Sequence, residues 1–105
     1  MLSLSVLSLQ YVQAEVTATV EGQPFNPSGD FVEFAFTPLG GQPDTWYVGS
    51  WDGTEPVPGT GAYRAQVLVG PAGAVTLPKG RYVMWIRIHD SPEQPVLQVG
   101  QLTVN

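Results

Sequence analysis

The chain of 105 residues has no cysteine, which excludes both a disulfide framework and a thiolate metal site. Basic residues are scarce too: four Lys and Arg stand against nine Asp and Glu, with one histidine and a formal net charge of −5. Contact with a phosphate backbone needs clustered cations, so this balance argues against nucleic acid and against anionic membranes. No run approaches the ~18 apolar residues of a membrane-spanning helix. The N-terminal MLSLSVLSLQYVQAE lacks Lys or Arg ahead of its apolar stretch, and Ser3, Ser5 and Ser8 interrupt it. It therefore reads as a β-strand rather than a secretion signal. No segment carries a helical period.

What the chain does have is turns and alternation. Gly (12) and Pro (10) are abundant, and they punctuate segments of two-residue period. Leu7, Leu9 and Tyr11 alternate with Ser8 and Gln10. The phase slips at Val12, after which Val12, Ala14, Val16, Ala18 and Val20 share a face. A one-residue slip turns every side chain over, so a bulge or strand switch is expected near Tyr11–Val12. EGQPFNPSGD reads as a loop and FVEFAFT as a strand with Val32, Phe34 and Phe36 on one side. TWYVGSW reads as one strand, in which Trp46 and Trp51 have opposite parity. If one is core, the other points outward, unless Gly49 marks a bulge. DGTEPVPGTG is the longest irregular stretch. AYRAQVLVG turns Tyr63, Ala65, Val67 and Val69 inward, GPAG reads as a hairpin turn, and AVTL as a short strand.

LPKGRYVMWIRIH is the most informative stretch. Tyr82, Met84, Ile86 and Ile88 form a core face, with Val83, Trp85, Arg87 and His89 on the other. The spacing Leu77…Gly80…Tyr82…Met84 resembles the corner between strands E and F of immunoglobulin-like domains. There a tyrosine opens strand F and its hydroxyl ties back to the upstream backbone. Met84 stands where antibody domains have a cysteine. The expected fold is all-β: an immunoglobulin-like antiparallel sandwich of about seven strands without a disulfide. Residues 1–10 form an N-terminal strand or arm, and residues 11–105 a single domain.

Catalytic patterns are weak. His89 and Asp90 are strand neighbours and point to opposite faces, so they do not make a base–orienter pair. Asp44, Asp52 and Glu55 read as solvated turn residues. Asp30 together with these three lacks the dense acidic loop of a calcium site. No cofactor, metal ligand or catalytic residue is assigned. WDG suggests an adhesive platform of Trp51 and Asp52, against the plainer reading of a core tryptophan.

Nearly the whole chain, from Tyr11 to Val104, resembles small immunoglobulin-like proteins encoded by tailed phages of actinobacteria. The resemblance is carried by VTATVEGQPFNP, WYVGSW and YRAQVLVGPAGAVTLPKGRYVMWIRIHDSPEQPVLQVGQLTV. Its most specific pieces are Gly70–Gly73, Gly80–Tyr82, Trp85 and the DSPE segment with Pro95–Val96. His89 departs from it, since a small polar residue is expected there. The resemblance implies a virion component without catalysis. The leading expectation is a decoration protein, made in the host cytoplasm and bound on the capsid exterior. Its partners would be the major capsid protein and its own copies around a symmetry axis. A head–tail or tail component is the alternative, and a carbohydrate- or host-binding adhesion module is the alternative of another class. Candidate contact residues are Leu2, Leu4 and Val6 on the N-terminal segment, Trp85, Arg87 and His89 on the long strand, and Pro92 and Glu93 in the loop beyond it.

Overall fold

Val12, Ala14 and Val16 are buried while Gln13 and Glu15 are exposed, as a half-buried strand requires. The computed structural model describes residues 2–20, 23–53, 55–59, 61–89 and 94–105, with the backbone alone for residues 2, 18–20 and 23–25. Its strands are β1 (Leu2–Leu4), β2 (Gln10–Val16), β3 (Ala18–Val20), β4 (Gln23–Phe25), β5 (Phe31–Thr37), β6 (Tyr47–Val48), β7 (Ser50–Trp51), β8 (Tyr63–Val69), β9 (Gly80–His89) and β10 (Val96–Val104). They form a five-stranded sheet in the order β1-β10-β9-β5-β6, a three-stranded sheet β2-β8-β7, and a small β3-β4 hairpin. The two larger sheets follow the immunoglobulin division, with strands B, E and D on one side and G, F and C on the other. The fold is an all-β sandwich, as the alternation indicates.

Phe34, Ile86, Leu102, Val12, Val32, Val67, Val69 and Val75 are the largest fully buried apolar side chains. All but Val75, which lies in the loop after β8, come from the strands of the two sheets, and together they fill the layer between them. At the corner before β9, Leu77 is buried and the Tyr82 hydroxyl donates to the Pro78 carbonyl at 2.7 Å. The expected tie to the upstream backbone is present, and burial pushes the phenol's pKa up.

Several boundaries differ from the sequence reading. Of the two expected explanations, a bulge or a strand switch, the structure has the strand switch, but over residues 5–9 rather than at Tyr11–Val12, where β2 pairs with β8 without a register shift. β1 belongs to the five-stranded sheet and β2 to the other. The N-terminal segment is a strand of this domain. It pairs with β10 in parallel, Leu2 beside Leu102 and Leu4 beside Val104, so the sandwich is not antiparallel throughout. The Val12–Val20 run breaks at Thr17, and the expected loop after it contains β4 and a 3-10 turn at Pro27–Gly29.

TWYVGSW is two strands in different sheets, β6 paired with β5 and β7 paired with β8. Gly49 is the crossing point. A Cβ there would lie 2.7 Å from the Phe34 ring and 2.8 Å from the Gln66 carbonyl oxygen, which only glycine avoids. AVTL is not a strand; Val75 makes a single parallel bridge to Val69. GPAG is thus no hairpin turn, but a loop that lays the chain back beside the end of β8.

Candidate functional site

The outer face of the five-stranded sheet is built from alternate residues of β5 and β9. The register sets Phe31 opposite His89, Glu33 opposite Arg87, Ala35 opposite Trp85 and Thr37 opposite Val83. Trp85, Arg87 and His89, singled out from one strand, therefore meet a second strand carrying one carboxylate. A single Glu33 oxygen, Oε1, accepts from Arg87 Nε at 3.1 Å and from its terminal nitrogen Nη2 at 2.8 Å. His89 Nε2–H donates to the same oxygen. The Arg87 guanidinium carbon lies 4.3 Å from the centre of the Trp46 ring, a cation–π contact. The His89 ring is tilted 42° against Phe31 at 5.3 Å.

This face is not a plain solvated surface. Ala35, Thr37 and Val83 are buried, although the sequence places Val83 on the face opposite the core. The reason is Trp85. It stands opposite Ala35 and its indole Nε1–H donates to Thr37 Oγ1 at 2.9 Å, so the ring lies along β5. An open hollow of about 360 Å³ adjoins Val83, where β10 bulges between Gln98 and Gly100.

The electrostatics of the cluster are set by competition at Glu33, whose side chain is 13% exposed. Burial alone raises a carboxyl pKa. The hydrogen bonds from His89 and Arg87, with their charges, outweigh it and hold Glu33 below the ordinary glutamate value. A depressed folded-state pKa stabilises the fold above the unfolded-state value and loses that stabilisation as pH falls through the folded one. Wild type should therefore be more stable than Glu33→Gln at neutral pH. The gap between their melting temperatures should close as pH drops from about 5 towards about 3. Parallel thermal melts across that range check this, and a gap independent of pH would contradict it.

The other candidates fall elsewhere. Leu4 is buried in the core and Val6 packs against it, so neither is a free contact residue; of Leu2 the backbone alone is described. Pro92 and Glu93 lie outside the described residues. Trp51 packs against the core rather than standing out as a platform, and its Nε1–H donates to the Asp30 carbonyl at 2.9 Å. Asp52 is exposed and accepts from Gln13 Nε2 at 3.2 Å. The opposite parity of the two tryptophans holds in effect: Trp51 packs inward and Trp46 lies on Arg87. Among the described residues no group of three or more acids and histidines converges as a metal site would require.

Glu33 and Trp46 are the members of the site that sequence reasoning missed. A trace was present, since Glu33 is the sole charge in FVEFAFT and sits on its outward parity. Its partners depend on strand register and lie 54 and 56 residues away.

No protein-family model, curated protein or solved structure matches this chain.

Proposed function

We propose that the protein is a non-enzymatic docking domain that decorates the outside of a phage capsid, binding the major capsid protein and its own copies. The observation that carries the docking reading is a row across four strands of the outer face. Val48, Glu33, Arg87 and Val96 lie side by side in register. An ion pair fixed in the middle is flanked by valines that are 58% and 47% exposed, with Phe31 at 50% beside them. Apolar positions around an ordered Arg and two tryptophans match the composition of interface hot spots. Side chains already held by neighbours lose less entropy on docking.

The capsid setting is supported by the resemblance of residues 11–104 to immunoglobulin-like virion proteins. A domain that binds only the assembled lattice stabilises it by mass action. The test is densitometry of purified particles of the encoding phage, scaled to the capsid band. Decoration predicts hundreds of copies per particle, whereas a tail role predicts far fewer, located off the shell. Absence from the particle overturns both. Val48→Glu with Val96→Glu should abolish rebinding to stripped or empty capsids while leaving the domain folded. Undiminished rebinding would remove the outer face from the contact.

A further inference from the structure

The sandwich has four outer strands, and three of them are very short. β1 has three residues, and β6 and β7 have two each. Short edges are one of the ways proteins prevent unwanted strand pairing. The fourth edge, β2, has seven residues, QYVQAEV, with no proline, no glycine and one charge. Among the described residues it pairs with β8 alone, so one side of its backbone faces outward along its length.

We propose that this edge joins two copies of the chain in an isologous dimer, with β2 antiparallel to β2 about a two-fold axis at Gln13. Three features favour a second copy as the occupant.

The first is charge and donor complementarity. In that register Gln13 faces Gln13 of the other copy, Val12 faces Ala14, and Tyr11 faces Glu15. The sole charge of the strand avoids its own image and meets a phenol able to donate to it. Like charges directly opposite would destabilise the pairing. Each Glu15 also keeps Arg64 of its own chain at 3.9 Å.

The second is fit at the neighbouring sheet edge. β1 runs beside residues 102–104 of β10, and among the described residues no strand fills the lane beside residues 96–101. Because β1 leads directly to the start of β2, the filled part of the lane lies at the Gln10 end and the empty part at the Val16 end. A two-fold at Gln13 sets one copy's Gln10 end against the other's Val16 end. The step of each copy then meets the recess of the other, the self-complementarity a two-fold contact requires.

The third is exposed apolar surface. Leu9 and Tyr11 are 52% and 53% exposed at the start of this edge, and the pairing brings them against the partner strand.

Sedimentation equilibrium of the isolated protein tests the proposal independently of any role on a particle. Wild type should show a concentration-dependent monomer–dimer equilibrium that tightens with added salt, because copies of net charge −5 repel and salt screens that repulsion. Gln13→Lys should remain folded by circular dichroism, its amine still within reach of Asp52, and be monomeric where wild type is dimeric. The chain has no cysteine, so Gln13→Cys supplies a single thiol placed on the axis. Mild oxidation should link it into a covalent dimer at least tenfold faster than Val48→Cys, on the opposite edge of the other sheet. Wild type that stays monomeric at all concentrations, a Gln13→Lys dimer, or equal cross-linking rates would each overturn the proposal.

Discussion

Gly70→Ala is expected to cost roughly 3–5 kcal/mol, the sum of backbone strain and overpacking. That is a large part of the 5–15 kcal/mol that holds a typical domain folded. Gly70 has φ +135°, in a region that side chains rarely adopt. A Cβ there would lie 2.0 Å from the Ser8 carbonyl oxygen, 2.8 Å from Leu9 Cα and 2.9 Å from the Ser8 carbonyl carbon. All three are backbone atoms, so no side chain can swing aside. Relief requires moving the 5–9 crossover, and with it the start of β2 or β1. Urea denaturation of the purified variant should show a sharply lower midpoint, and a midpoint within error of wild type would contradict this account. The same loop supplies a change of opposite sign. Ala72 has φ +65° without being glycine, so Ala72→Gly should raise stability by about 0.5–1 kcal/mol.

Deleting residues 1–9 is expected to leave the chain unfolded at room temperature. The deletion removes buried Leu4 and half-buried Val6 and uncovers Leu102 and Val104, which are 0% and 3% exposed. It also removes a reciprocal clasp in which Asn105 N–H donates to the Leu4 carbonyl at 2.8 Å and Val6 N–H to the Asn105 carbonyl at 2.7 Å. Leu4→Ala alone should cost about 2–4 kcal/mol, the range for truncating a buried leucine. The whole strand is then comparable to total stability. Dispersion of amide resonances in the truncated protein decides the matter. A folded, monomeric truncation would mean that the segment is dispensable to the domain and free to act as an arm.

Both predictions concern places where the sequence was only partly readable. GPAG was recognisable as a turn because Gly and Pro punctuate local structure. That its first glycine lies under another strand's backbone was not recognisable, because Ser8 is 62 positions away in the chain. The phase slip before Val12 was visible as a defect in alternation. Its cause was not, since a bulge and a change of sheet leave the same pattern. In TWYVGSW the parity of the tryptophans survived, yet the single strand did not. Gly49 lets the chain pass from β6 to β7 beside the Phe34 ring, a contact that exists only once both sheets are packed.

The sequence by itself determined the all-β class, the core face of Met84, Ile86 and Ile88, and the Tyr82 corner. Each of these follows from spacing within one strand or turn, where backbone geometry dictates which way a side chain points. Only the tertiary structure decided that Arg87 and His89 converge on Glu33, that Trp46 stacks on Arg87, and that β2 is left as a seven-residue edge strand paired, among the described residues, with β8 alone. Those outcomes depend on strand order and register between distant segments. Register is chosen by the packing of two whole sheets, and no single stretch of sequence contains it.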